Sequence, residues 1–200
     1  MQKILFATSN KGKLKEIREI LSGLECEVVS LADAGITSDV EENGSSFAEN
    51  ARIKAEFFAK ESGMITLADD SGLVVDYMNG EPGIYSARFL GRETSYDVKN
   101  HYIIGRLAEA VGKDRSARFV CAICCACPDG RIFETQGRVE GIIATKPKGE
   151  NGFGYDPIFY VPSLRMTTAE LPPEKKNEIS HRGRALRAMR ELLEEKGVLK

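Results

Sequence analysis

"ARFVCAICCACPDGRIFETQGRVEGII", Ala117 to Ile143, holds two apolar-rich runs on either side of a Pro-Asp-Gly-Arg turn. Runs of Val, Ile, Phe and Cys closed by a glycine-containing turn predict two strands, 117–127 and 131–143, joined as a hairpin. Upstream the pattern changes. "KILFAT" (Lys3 to Thr8) reads as a short buried strand, and Leu14, Ile17 and Leu21 follow it at helical spacing until Gly23. Ser46 and Glu49 form a capping-box pattern ahead of a helix striped by Phe47, Ala51, Ala55 and Phe58, on which Asn50 and Lys54 share a face. "MITLADD" from Met64 is the next strand, with a break expected at Ser71-Gly72, and Ser95 to Val111 is a helix carrying Val98, Tyr102 and Leu107. Tyr155 to Val161 is one more short strand. Ser180 then caps a last helix that turns Ala185, Met189, Leu192 and Leu193 to the core, with Gly197 near its end. Helices interleaved with strands, plus one antiparallel hairpin, define an α/β fold with a mixed β-sheet flanked by helices.

A chain of 200 residues, 42% apolar, can build its core within a single domain spanning residues 1–200. Its 28 Lys and Arg against 30 Asp and Glu give no global field to hold a nucleic-acid polymer or an anionic membrane. The first ten residues lack a signal-peptide core, and no stretch approaches membrane-spanning length, so a soluble cytoplasmic protein is expected. Cys121, Cys124 and Cys127 are evenly spaced, but zinc sites present separated ligand pairs on turns. These thiols read as reduced cysteines in a buried strand.

Four polar stretches lie where the chain turns, and sites are built at such turns. "TSNKGK" (Thr8, Ser9, Asn10, Lys11, Gly12, Lys13) joins a strand to a helix start, where free N–H groups, the helix dipole and two lysines outline a phosphate cradle; the alternative is a simple cap. It is not a P-loop, lacking the spaced glycines and the Ser or Thr that holds magnesium. Asp69 and Asp70 are adjacent on a strand and so face opposite ways, leaving one for a cleft and the other to cap a turn or orient its neighbour. Glu41-Glu42 offer further hard oxygen donors of the kind Mg²⁺ takes, or form a solvated turn. "GENGFGYDP" (Gly149 to Pro157) carries Phe153 and Tyr155 on a flexible loop able to stack on a planar base. "EKKNEISHRG" (Glu174 to Gly183) sets Lys176, His181 and Arg182 at or just before a helix start, against the dipole, which suggests an anionic or carbonyl-rich ligand; the alternative is a solvated basic turn.

Six stretches in order, "FATSNKGKLKEI", "SFAENARIKA", "LADDSGLVVD", "GEPGIYSARF", "GFGYDPIF" and "EKKNEISHRGRAL", closely resemble the inosine triphosphate pyrophosphatase family, from Lys3 to about Leu193. The family usually has T-G-N or T-N-N where this chain has Thr8-Ser9-Asn10, and the segment from Phe89 to Arg115 carries no motif. The resemblance implies a two-lobed, usually homodimeric α/β enzyme with a central cleft. It would hydrolyse non-standard purine nucleoside triphosphates (ITP, dITP, XTP) with Mg²⁺, giving monophosphate and pyrophosphate. It also implies roles: Thr8 through Lys13 and Lys54 for the triphosphate, and Asp70 as the catalytic acid residue with Ser71 on substrate. Glu41 and Asp70 would serve Mg²⁺, and Phe153, Gly154, Tyr155, Asp156, Lys176, His181 and Arg182 the nucleoside.

Overall fold

Ile4, Leu5 and Phe6 have no exposed surface, so both faces of the first strand are covered, as in a parallel strand with helices above and below. The structure is a computed structural model that describes residues 2–22 and 26–199. Its strands are β1 (Gln2–Phe6), β2 (Cys26–Ser30), β3 (Ile65–Val75), β4 (Ser116–Ala126), β5 (Ile132–Ile143), β6 (Phe159–Val161) and β7 (Met166–Thr167). The helices are α1 (Lys11–Ile20), α2 (Phe47–Ser62), α3 (Tyr96–Arg106), α4 (Pro173–Ile179) and α5 (His181–Glu195). The strands form one seven-stranded mixed sheet in the order β2-β1-β3-β4-β5-β6-β7, with β1 parallel to β2 and β3, and β6 antiparallel to β5 and β7.

That order fixes the helices. From β1 the chain steps outward to β2 through α1, then back past β1 to β3 through α2. With right-handed crossovers, steps in opposite directions put α1 and α2 on opposite faces. The cores agree: Ile17 of α1 packs with Ala185, Leu186, Met189 and Leu193 of α5, while Ala51, Ala55 and Phe58 of α2 pack elsewhere, with Leu5 and Ala68. Along β4 the side chains alternate, Cys121, Ile123 and Cys125 joining the first cluster and Ala122, Cys124 and Ala126 the second. The cysteines are buried free thiols, and burial pushes Cys124 up to about 12.

The chain forms two compact units. One comprises the residues up to Asp70, Cys121–Gly137 and those from His181 on; the other comprises Ser71–Val120 and Arg138–Ser180. In the second, Leu73, Val75, Ile103, Leu107, Phe119, Ile143 and Phe159 build the core.

Within the first unit α5 lies directly on the β5 backbone at Gly137, where a Cβ would stand 2.2 Å from the His181 carbonyl oxygen and 2.6 Å from the Ala185 nitrogen. Gly137→Ala is therefore expected to cost about 2 kcal/mol or more, because backbone cannot step aside as a flexible side chain can. An unchanged urea midpoint would contradict that packing.

Several expectations need correction. β3 does not break at Ser71-Gly72 but runs on to Val75, its central place in the sheet outweighing the weak strand preference of glycine. Residues 155–161 are not one strand: Asp156–Ile158 is a 3-10 turn, with Pro157 withholding a ladder N–H, and only Phe159–Val161 pairs. The 174–180 stretch is mostly helix, α4, started by Pro173 at its first position, and Ser180 separates it from α5. On α3 the buried residues are Lys99, Asn100 and Ile103, and Val98 and Tyr102 are exposed. On α5 Leu186 is buried where Leu192 was expected, and Leu192 is half-buried. Ser46 caps α2 by accepting from the Glu49 N–H, but the Glu49 carboxylate turns to the Ser45 N–H and hydroxyl instead of closing the box on Ser46. Gly23, expected to end α1, lies outside the described residues.

Candidate active site

Where β1 and β3 lie side by side, the connections leaving the sheet run in opposite directions, and ligands of open α/β sheets bind outside the strand ends at such a reversal. β1 pairs with β3 up to Phe6 and Leu67, and the Ala7 N–H donates to the Leu67 carbonyl (2.8 Å). The Thr8–Lys13 turn therefore emerges beside Asp69 and Asp70. Asn10 caps α1 by accepting from the Lys13 N–H (3.0 Å), and the Asn10 N–H is taken by the Thr8 hydroxyl (3.2 Å). Ser9, Asn10 and Lys11 are exposed, and Thr8, Gly12 and Lys13 half-buried.

The two aspartates do face opposite ways, but neither anchors a turn. Asp69 points to the α1/α5 side, where Lys13 Nζ stands 3.0 Å and Arg182 Nη2 3.6 Å from its Oδ2. Burial alone would raise its pKa; Lys13, Arg182 and Lys54 outweigh it and hold the carboxyl well below the usual carboxylate range. Arg182 also pairs with Glu16, one turn after Lys13 on α1. The Cys121 thiol lies 3.9 Å from Asp69 Oδ2, and burial with that carboxylate pushes it up to about 12.

Asp70 points to the α2 side. Its Oδ2 accepts from Asn50 Nδ2 (3.1 Å), whose Oδ1 in turn accepts from the Gly44 N–H (2.8 Å). Burial raises the pKa of Asp70 against the pull of Lys54, Lys13 and the Asn50 bond. Lys54, one turn along from Asn50, reaches Glu42 at 3.1 Å. Glu42 is the loop carboxylate that reaches Lys54, and Glu41 stands exposed next to it in the chain.

In the second unit, Asp156 organises the glycine-rich loop. Its Oδ2 accepts from the Phe153 N–H (2.7 Å) and Lys176 Nζ (2.5 Å), and its Oδ1 from the Thr168 hydroxyl (2.8 Å). Lys176 Nζ also sits 4.9 Å from the centre of the half-buried Phe153 ring. Gly152 has φ +75° and a Cβ there would strike the Asp156 carboxylate at 2.2 Å, so the loop closes only with glycine. Tyr155 is buried and its hydroxyl donates to the Ser86 carbonyl (2.7 Å).

The structure therefore brings Lys13 and Arg182 together at Asp69 and Asn50 to Asp70, with Lys54 one turn along from Asn50, in the first unit, and Phe153, Asp156 and Lys176 together in the second. Ser71 is half-buried next to Asp70 on β3, Gly154 is half-buried, and His181 is buried at the start of α5. Arg182 is 2% exposed and held by Glu16 and Asp69, so the cation that runs against the α5 dipole is answered by protein carboxylates. Sequence reasoning missed Glu16 and Glu42 as partners. The spacing of three between Lys13 and Glu16 was the available signal for the former.

The donor set suits Mg²⁺ in a particular way. Asp70 is a buried hard-oxygen carboxylate, and burial raises its pKa against the pull of Lys54 and Lys13. Among the described residues no three His, Cys, Asp or Glu side chains converge as a metal cage. A site of one or two carboxylates completed by phosphate oxygens and water is the usual arrangement for Mg²⁺.

Lysines at a helix start and a buried carboxylate pair, at the reversal point of an open sheet, mark the class of open-sheet α/β proteins that carry a charged site at their strand ends. Within that class the chain belongs to the Ham1 family, whose model matches residues 4–192. It is 50% identical over 192 residues to the dITP/XTP pyrophosphatase of Desulforamulus reducens, spanning 96% of this chain and 95% of that one. It is 47% identical to the dITP/XTP pyrophosphatase of Thermus thermophilus, over 94% and 90% of the two chains. A solved HAM1 protein from Coxiella burnetii superposes with a TM-score of 0.88 at 43% identity, over 98% of this chain and all of that one.

Proposed function

We infer that this protein hydrolyses the non-standard purine nucleoside triphosphates ITP, dITP and XTP to the monophosphate and pyrophosphate, keeping them out of DNA and RNA. The observation that carries the reading is the buried Asp70 carboxylate, held by Asn50 of α2 next to the Asp69–Lys13 ion pair. Near-full-length relatives named dITP/XTP pyrophosphatases support it. Thr8 through Lys13 and Lys54 are assigned the triphosphate and Ser71 a substrate contact.

In the proposed reaction a water attacks the α-phosphorus and pyrophosphate leaves. Asp70, hydrogen-bonded by Asn50, accepts the proton of that water; its raised pKa makes it a better base near neutral pH than an ordinary aspartate. Lys13 and Lys54 offset charge on the leaving pyrophosphate. Asp70, together with Glu41 or its neighbour Glu42, would hold Mg²⁺, which supplies charge neutralisation on the phosphate oxygens.

Phe153, Gly154, Tyr155, Asp156 and Lys176 are assigned the nucleoside, with His181 and Arg182 supporting. Hypoxanthine and xanthine present O6 as an acceptor, which Lys176 can meet, whereas adenine presents an amino donor. We further propose that the protein acts in the cytoplasm as a homodimer. Among the described residues no helix is long and apolar enough to cross a membrane.

A substrate panel tests the reading. With Mg²⁺ present, ITP and XTP should turn over at least tenfold faster than GTP and ATP; equal rates on ATP would reject the assigned base selection.

A further inference from the structure

Helix α3 lies in the segment between Phe89 and Arg115 that carries no motif, yet two of its three buried residues are polar. Lys99 is 1% exposed and Asn100 4% exposed, beside the apolar Ile103, while Val98 is 52% exposed. A helix that only packed would put apolar residues at both polar positions, since burying a lysine and an amide costs solvation that each must recover by bonding. What they bond is specific. Lys99 Nζ donates to the Ala87 carbonyl (2.9 Å) and lies 4.8 Å from the centre of the Tyr96 ring. Asn100 Nδ2 donates to the Gly154 carbonyl (3.2 Å).

The two acceptors belong to separate segments, each bonded to this helix and joined to one another by one tyrosine. Ala87 follows Ser86, whose carbonyl receives the Tyr155 hydroxyl, and Tyr155 follows Gly154 and packs edge-on to Tyr96 at 5.1 Å and 87°. Gly154 has φ +67° with the Tyr96 ring 3.5 Å from where a Cβ would be, so the loop rests against α3 at the residue Asn100 holds. Asn100 Oδ1 is buried and accepts no hydrogen bond among the described residues, so the bond from Nδ2 to Gly154 is the part of its solvation cost that the side chain recovers there.

We propose that Lys99 and Asn100 are positioning residues that clamp the Ser86-Ala87 segment and the Phe153–Asp156 loop into one shape for reading the nucleoside, an inference that rests on the function proposed above. Asn100 fixes the loop backbone at Gly154, one residue from Phe153 and two from Asp156. Lys99 fixes the segment that receives Tyr155. Neither touches the reacting phosphate, so the clamp acts on nucleoside binding and leaves the chemical step alone.

The test uses Asn100→Asp, which keeps volume and removes the donor, and Asn100→Leu, which removes polarity altogether. Without nucleotide, amide exchange at Phe153 and Asp156 should quicken at least tenfold in both, with exchange along β4 unchanged. With ITP, KM should rise about tenfold while kcat stays within twofold. A simple packing role would lower thermal stability and leave KM alone, so an unchanged KM overturns the proposal, as does unchanged loop exchange. If one variant fails to fold, the other is read by the same two measurements. Should the wild type not hydrolyse ITP while the loop still loosens in the variants, the proposed function fails and the clamp stands.

Discussion

Asp70→Asn is expected to lower kcat on ITP by about a thousandfold, the usual reach of a positioned general base, with the fold intact. The amide matches the carboxylate in shape and still offers an oxygen to Asn50 Nδ2, so the α2 contact survives. Stability should not fall. A carboxyl whose folded pKa lies above its unfolded value opposes folding once ionised, and Asp70 is raised by burial, so near neutral pH the uncharged asparagine relieves a cost. Loss of turnover with an equal or higher melting temperature is the expected pair of results, the trade-off of a site that gives up stability for activity. Near-normal turnover would remove Asp70 from the chemistry.

Asp69→Asn should behave in the opposite way, destabilising the protein by about 3 kcal/mol or more whatever it does to activity. Asp69 is fully enclosed and its carboxylate is shared by Lys13 and Arg182; an amide in its place removes the negative charge that both cations face. Breaking a buried ion pair from one side leaves uncompensated charge in a poorly solvated place. The pH dependence carries a sign that checks the cause. The folded pKa of Asp69 lies below its ordinary value of 3.8, so its contribution is complete above that pH and is lost as pH falls toward the folded value. The gap in urea stability between wild type and variant should therefore be constant from neutral pH down to about 3.8 and narrow only below it. A gap that already closes between neutrality and pH 5 would mean another group is responsible.

These two neighbours show what a sequence can and cannot disclose. That they face opposite ways follows from strand geometry, and the structure bears it out, with Lys13 and Arg182 on one side and Asn50 on the other. That Asp69 holds an ion pair could not be read locally, because Arg182 arrives from α5, more than a hundred residues along the chain. The same long-range pairing explains Arg182 itself: its misfit with the helix dipole was visible, but the carboxylates that satisfy it belong to α1 and β3. The hairpin of β4 and β5 was legible because its turn is local; the Gly130 N–H donates to the Cys127 carbonyl and the Cys127 N–H to that of Arg131. The continuation of β3 through Ser71-Gly72 was hidden, since propensity argued for a break and only the flanking strands oppose it. On α3 the rule that apolar residues turn inward pointed to Val98, Tyr102 and Leu107, and of these Leu107 is buried while Val98 and Tyr102 are exposed. Where local rules fail in this way, a functional constraint is the usual cause, and the clamp on Gly154 and Ala87 is the one offered here.

The most direct measurement of the central claim follows oxygen through the reaction. The protein is given ITP and Mg²⁺ in water labelled with heavy oxygen, and the products are identified by phosphorus NMR. Attack on the α-phosphorus predicts inosine monophosphate carrying the label and unlabelled pyrophosphate. Label in the pyrophosphate, or orthophosphate with the diphosphate as products, would contradict the account at its root.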